Sequence, residues 1–170
     1  DDDQTRVIRQ ILKEMKYDAK QWNPRAILSK ISQAKSAMMS PEDIQGSDYQ
    51  VFYQLVAKVF ERYSVILKQN NAVDFDDLLL LTVELLEKSP TVLGYYQNRF
   101  KHILIDEYQD TNRVQYRMLN ALAKNTPMLC AVGDDDQSIY AWRGADINNI
   151  LNFEQDYADV KVVKLEQNYR

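Results

Sequence analysis

Between Val7 and Met15, Val7, Ile8, Leu12 and Met15 are apolar residues close to a helical spacing. That spacing gathers side chains on one face of a helix. A second helix is predicted over PRAILSKISQAKSAM (24–38), with Asn23-Pro24 as its cap and first turn. SPEDIQGSD (40–48) reads as a loop by composition. YQVFYQLVAKVFERYSVILKQ (49–69) repeats apolar residues every three or four positions, the pattern of a long amphipathic helix, and Asn70-Asn71 interrupts it. DFDDLLLLTVELLEKS (74–89) reads as a helix with acids in its first turn, where the macrodipole favours them. A short helix through VLGYYQNRF (92–100) follows.

After Phe100 the texture changes. Short apolar runs appear at HILI (102–105), MLCAV (128–132) and VKVVKL (160–165). Between them RVQYRMLNALAK (113–124) and ADINNILNFEQ (145–155) are helical in pattern. Strand, helix, strand, helix, strand predicts an α/β fold with a parallel sheet. The first two runs lack polar alternation, which predicts strands covered on both faces. No internal repeat or low-complexity tract is visible.

The acids at the strand ends carry the candidate chemistry. ILIDEYQD (103–110) runs a strand straight into Asp106 and Glu107, and GDDDQ (133–137) follows the next strand. Ligands of open α/β sheets bind at the carboxyl ends of the strands. Two such ends sharing one edge suit a hydrated Mg²⁺, which takes one or two carboxylates plus substrate phosphates. A plainer reading makes these acids solvated loop residues, with Asp110 and Thr111 capping the helix that begins near Asn112. QSIYAWRGA (137–145) then places Tyr140, Trp142 and Arg143 directly after the acidic loop. Aromatics beside a guanidinium form a stacking platform for unpaired bases; they also serve as ordinary core residues. In an extended segment Tyr140 and Trp142 face the same way, so both readings stand. LEQNYR (165–170) ends with another aromatic–Arg pair, Tyr169 and Arg170. That arginine either grips a phosphate or is a frayed end.

Composition bounds these readings. The chain has 170 residues, 45% hydrophobic and 27% charged, enough for one large domain or two small ones. No stretch approaches the ~20 apolar residues of a membrane span. The opening DDDQTR has neither a starting Met nor an apolar run, so no signal peptide is expected. The single Cys130 fits a reducing cytoplasm and, inside MLCAV, reads as a buried, inert thiol. His102 begins a strand and reads as structural, and Trp22 reads as a staple at the helix start beside it. Residues 1–73 hold 11 Lys/Arg against 9 Asp/Glu, a balance of +2; residues 74–170 hold 10 against 16, a balance of −6. An acidic total argues against nucleic acid, unless the acids hold a cation that reverses the local field. The +2 of the first part is explained as well by a solvated helical face as by contact with duplex DNA.

DFDDLL (74–79), ILIDEYQDTN (103–112), VGDDDQSIYAWRGAD (132–146) and LEQNYR (165–170) together resemble successive motifs of the superfamily 1 DNA helicases of the UvrD/Rep/PcrA group. DEYQDTN is similar to the Walker B motif, GDDDQSIYAWRGAD to the third helicase motif and LEQNYR to the fourth. The resemblance implies a RecA-like (P-loop NTPase) α/β half-domain at 74–170, the C-terminal part of the first motor domain. It implies an all-α accessory domain of the 1B type at 1–73. It also implies ATP and Mg²⁺ as cofactors and roles by residue. Asp106 would hold Mg²⁺, and Glu107 would orient the attacking water. Gln137 would contact the γ-phosphate and report it to the DNA site. Tyr140 and Trp142 would stack on bases of single-stranded DNA, with Arg143 linking the two sites. Tyr169 would stack on adenine and Arg170 would touch the γ-phosphate. The implied activity is ATP-driven, 3′-to-5′ movement on single-stranded DNA and unwinding at single-strand/duplex junctions. The implied setting is the cytoplasm and nucleoid, with repair or replication partners and no membrane.

One departure matters. The chain has four glycines and no G-x-x-x-x-G-K-[ST], so no segment of it can cradle a triphosphate as a Walker A loop does. The ends at DDDQTR and LEQNYR therefore read as cuts through a larger protein, and the piece alone is expected to be inactive. Two other function classes remain open from sequence. One is a metal-dependent nuclease or phosphohydrolase using Asp106, Glu107 and Asp134–Asp136 as a two-metal site. The other is a non-catalytic, protein-binding α/β module.

Overall fold

The computed structural model describes residues 2–45, 51–124 and 128–165. Its first elements are helices that bury one stripe each. Helix α1 (Asp2–Glu14) buries Thr5, Ile8, Ile11 and Leu12. Helix α2 (Pro24–Ser36) begins as its sequence predicts: the Asn23 side chain accepts the Arg25 N–H at 2.9 Å, and Pro24 fills the first helical position. Helix α3 (Pro41–Gln45) lies where composition predicted only loop. Its cause is a local reciprocal cap: Ser40 Oγ accepts the Asp43 N–H at 3.3 Å and Asp43 Oδ2 accepts the Ser40 N–H at 2.7 Å. Residues 46–48 of that loop prediction lie outside the described residues. Helix α4 (Val51–Gln69) buries Leu55, Val56, Val59, Phe60 and Tyr63, and these close one core with α1, α2 and Ile44. Trp22, just before α2, packs against the core that holds Ile27 of that helix, and it also reaches beyond its own helix start. It stacks on Phe52 of α4 at 6.3 Å and meets Tyr17 edge-on at 6.1 Å.

A second cluster forms around two strands. Helix α5 (Phe75–Lys88) opens with a capping box between Asp74 and Asp77, and α6 (Pro90–Arg99) is capped by Ser89. Strand β1 (His102–Ile105) pairs in parallel with β2 (Met128–Ala131), His102 opposite Met128 and Ile105 opposite Ala131. Helix α7 (Arg113–Ala123) connects them. Its cap is Asn112, in a box with Gln115, and not Asp110 or Thr111. Ile103, Ile105, Leu129 and Ala131 turn one sheet face toward Tyr108, Leu119 and Ala123.

The other sheet face is exposed, with Leu104 at 77% of its accessible surface. Strands covered on both faces were expected; here only one face is covered by described residues. Cys130 shares the open face and is exposed, not buried. Residues 160–165 form no strand: no described segment offers them a ladder partner, and Val162, Val163 and Leu165 are exposed. The helix expected over 145–155 is two short pieces, α8 (Asn148–Leu151) and α9 (Phe153–Asp156), broken at Asn152. The break lets Asn149 bond Thr111 from α8 while Phe153 meets the Tyr108 ring at 5.3 Å from α9. The architecture is thus mostly helical with a small parallel sheet.

The two clusters meet where α2 crosses α5. Lys35 of α2 is buried, and its Nζ lies 2.7 Å from both Asp74 Oδ2 and Asp77 Oδ1. Tyr63 donates its hydroxyl to Asp74 Oδ2 at 3.1 Å. The ammonium also sits 5.3 Å from the Tyr63 ring centroid. A buried ion needs such completeness, because desolvation otherwise outweighs the Coulomb gain.

Candidate functional site

The sheet delivers both acidic loops to one edge. The ladder continues past the strand ends: the Val132 N–H donates to Ile105 O at 2.8 Å and the Tyr108 N–H to Val132 O at 2.9 Å. Asp106 and Glu107 leave β1 at this edge, and Gly133 to Asp136 leave β2 beside them. Both carboxylates of the first loop are exposed. Asp106 Oδ1 accepts the Glu107 N–H at 3.0 Å, so Oδ2 is left for a ligand. Glu107 itself has left-handed backbone, φ 51° and ψ 44°. A non-glycine residue in that region is held there by its surroundings.

The Glu107 backbone is tied on both sides, the N–H to Asp106 Oδ1 and the carbonyl to the Asp110 N–H at 2.9 Å, and its carboxylate meets the fully buried Gln109. Gln109 Nε2 donates to Glu107 Oε2 at 2.7 Å, and Gln109 Oε1 accepts the Asp134 N–H at 3.1 Å. Gly133 makes this approach possible, since a Cβ there would lie 2.6 Å from Gln109 Oε1 and 2.8 Å from Ile150 Cδ1. Reading the sequence missed both residues. A polar side chain buried in a loop leaves no periodic trace; the only signal was a glycine directly after a strand, where backbone approaches closely.

From Asp134 the contacts run on to the next candidate. Asp134 caps the turn Asp135–Gln137, accepting the Asp136 N–H on Oδ1 at 3.1 Å and the Gln137 side-chain amide on Oδ2 at 2.5 Å. Gln137 is exposed. Among the described residues, no three of His, Cys, Asp and Glu gather as a metal cluster. The two-metal arrangement of Asp106, Glu107 and Asp134–Asp136 is therefore not formed. A single carboxylate still fits a Mg²⁺ that keeps its waters and takes phosphate oxygens.

Tyr140 and Trp142 lie on a tight turn, not on an extended segment. Ala141–Arg143 is a single 3₁₀ turn closed by Gly144 at φ 85°. The two rings stand 6.3 Å apart at 42°. Trp142 is 64% exposed, so it is no core residue. It lines a cavity of about 360 Å³ with Ser29, Ser32, Ser36, Asp76 and Asn112. The turn is anchored to the loop after β1: Asn112 bridges Ala145, the Asp146 N–H donates to Thr111 O at 3.0 Å, and Asn149 Nδ2 donates to the same oxygen at 3.0 Å. The structure thus brings Asp106, Glu107, Gln137, Tyr140 and Trp142 onto two adjoining loops. The Arg143 side chain, Tyr169 and Arg170 lie outside the described residues.

The acids of DFDDLL divide by environment. Burial pushes the Asp74 carboxyl up, but the bonds from Lys35, the Asp77 N–H and Tyr63 outweigh it and hold Asp74 below the usual range. Asp76 is pushed up, first by burial, against a bond from Ser32 that favours the charged form. Burial also raises the Tyr63 hydroxyl well above its ordinary value.

The UvrD/REP helicase N-terminal domain matches residues 1–158. ATP-dependent DNA helicase PcrA of Staphylococcus epidermidis is 49% identical over 168 residues, covering 99% of this chain and 23% of that relative. ATP-dependent DNA helicase PcrA of Staphylococcus aureus is 48% identical over the same span and coverage. The chain therefore spans about a quarter of the length of these relatives.

Proposed function

The chain belongs to the UvrD/REP helicase family, and from that premise we propose that it carries part of the ATP-hydrolysis and strand-gripping machinery of an ATP-dependent DNA helicase. The observation that carries this reading is the adjacency of the two loops. Glu107 is joined through Gln109 to Asp134, and the loop that follows Asp134 presents an exposed Trp142. Phosphoryl transfer needs positioning and charge neutralisation more than covalent chemistry, and a motor needs that chemistry tied to a base-gripping surface.

In this reading Asp106 holds a hydrated Mg²⁺ through the oxygen not engaged by the Glu107 N–H. When bound, the cation neutralises charge on the ATP phosphates. Glu107 orients the attacking water, and Gln137 exchanges its Asp134 contact for the γ-phosphate. Tyr140 and Trp142 stack on single-stranded DNA, with Arg143 between the sites; Tyr169 and Arg170 serve adenine and γ-phosphate. Residues 1–73 act as a 1B-like helical accessory domain, and residues 74–170 as the C-terminal part of the first RecA-like domain. The whole protein moves 3′-to-5′ and opens single-strand/duplex junctions in the cytoplasm and nucleoid, with repair or replication partners. No helix among the described residues is long and apolar enough to cross a membrane.

The test is ATP hydrolysis by the full-length protein with and without single-stranded DNA, beside Glu107→Gln. Strong stimulation by DNA, lost in the variant, is expected. An equally active Glu107→Gln overturns the assignment of the water to Glu107. The 170 residues by themselves, which contain no P-loop sequence, are expected to show no ATPase.

A further inference from the structure

Gln109 is a fully buried amide at this edge, and both its ends are committed. A carboxylate can only accept and a backbone N–H can only donate, so one orientation of the amide satisfies both partners. Nε2 must face Glu107 and Oε1 must face Asp134. The backbone at Glu107 is left-handed, and the bond from Gln109 fixes the side chain that this backbone projects. The other bond ends on the loop that leads through Gln137 to Tyr140 and Trp142. Gly133 presses the amide from the second loop, leaving no room for a side chain. A shift of residues 133–137 therefore moves the acceptor bond of Gln109, and with it the donor that holds Glu107.

We propose that Gln109 is a positioning residue. It sets the Glu107 carboxylate for attack on ATP and makes that setting depend on the loop that leads to the base-stacking rings. This rests on the reading of Glu107 given above. Gln109 touches no reacting atom; it acts through Glu107.

Three variants of the full-length protein separate this role from simple packing. Gln109→Met keeps the side chain's length and removes both bonds. Gln109→Glu keeps the shape and the acceptor for Asp134 but sets an acceptor against Glu107. Gly133→Ala leaves residue 109 intact and displaces its amide from the other side. Steady-state ATPase is measured against ATP and against single-stranded DNA, with DNA affinity measured separately and Glu107→Gln run in parallel. All three variants are expected to lose roughly 10- to 100-fold in DNA-stimulated kcat, while KM for ATP and Kd for DNA stay within about threefold. Folded variants with wild-type kcat overturn the proposal. So does a fall in kcat matched by an equal rise in KM or Kd, the pattern of a general structural loss. If Glu107→Gln is inactive while the three variants are normal, the proposal alone fails. If Glu107→Gln is itself fully active, the underlying reading fails and the proposal with it.

Discussion

Lys35 and Asp74, 39 positions apart, meet at 2.7 Å with 3% of each side chain exposed. This pair fastens α2 to the N-terminus of α5. Asp77 is a second partner of the ammonium, and it closes the capping box with Asp74 as well. Removing one member leaves a buried charge without its partner, which typically costs about 3–5 kcal/mol. Lys35→Met and Asp74→Leu should each lower the denaturant midpoint of the protein markedly. The double variant should recover much of the loss, since it buries no charge at position 35 or 74. Equal losses in the single and double variants would show that shape, not charge, holds the seam.

The acids of this seam also set a pH dependence with opposite signs. Asp74 is held below its ordinary value in the folded protein. Its contribution is therefore present above the unfolded value, about 3.9, and is lost as pH falls through the lower folded value. Asp76 is raised. Its contribution is present below the unfolded value and is lost as pH rises through the folded one. Asp76→Asn should accordingly leave neutral-pH stability equal or higher, and Asp74→Asn should lower it. Thermal or denaturant midpoints from pH 3 to 7 check both signs.

These two residues also mark where sequence reading stops. The acids of DFDDLL were legible as first-turn residues, because a helix start has a local signature. Lys35 was not, because its partners are 39 and 42 positions away and it reads as one more solvated lysine on a helix. The same divide runs through the candidate site. Asp106, Glu107, Gln137, Tyr140 and Trp142 stand out as residues of unusual type at strand ends, and the parallel pairing of β1 with β2 brings their loops together. Gln109 and Gly133 matter through one close approach that no pattern encodes. The apolar run at 160–165 was read as a strand, yet strand formation is a property of a pair, and no described partner lies beside it.

Trp142 should matter to binding far more than to folding. With 64% of its surface exposed it contributes little burial. A ring stacked on an unpaired base is worth roughly 1–3 kcal/mol. Trp142→Ala should weaken single-stranded DNA binding about 5- to 150-fold while moving the melting temperature little. Fluorescence anisotropy with a short oligonucleotide measures the first and calorimetry the second. A large drop in stability with unchanged affinity would return Trp142 to a packing role.

Gly144 closes the turn that carries that ring. Its φ of 85° closes the turn Ala141–Arg143, and its N–H donates to Ala141 O at 2.9 Å. Space is not the constraint: an added Cβ would meet Ser36 Cβ at 3.5 Å, an ordinary contact. The constraint is conformational, because a left-handed backbone costs an L-residue with a Cβ about 1–2 kcal/mol. Gly144→Ala should therefore either destabilise by that amount or relax the turn and misplace Trp142. Asparagine tolerates the left-handed region better than alanine, so Gly144→Asn should retain more of both stability and DNA affinity. If alanine and asparagine behave alike, crowding against α2, and not backbone strain, governs the position. If neither changes affinity, the turn does not set the ring.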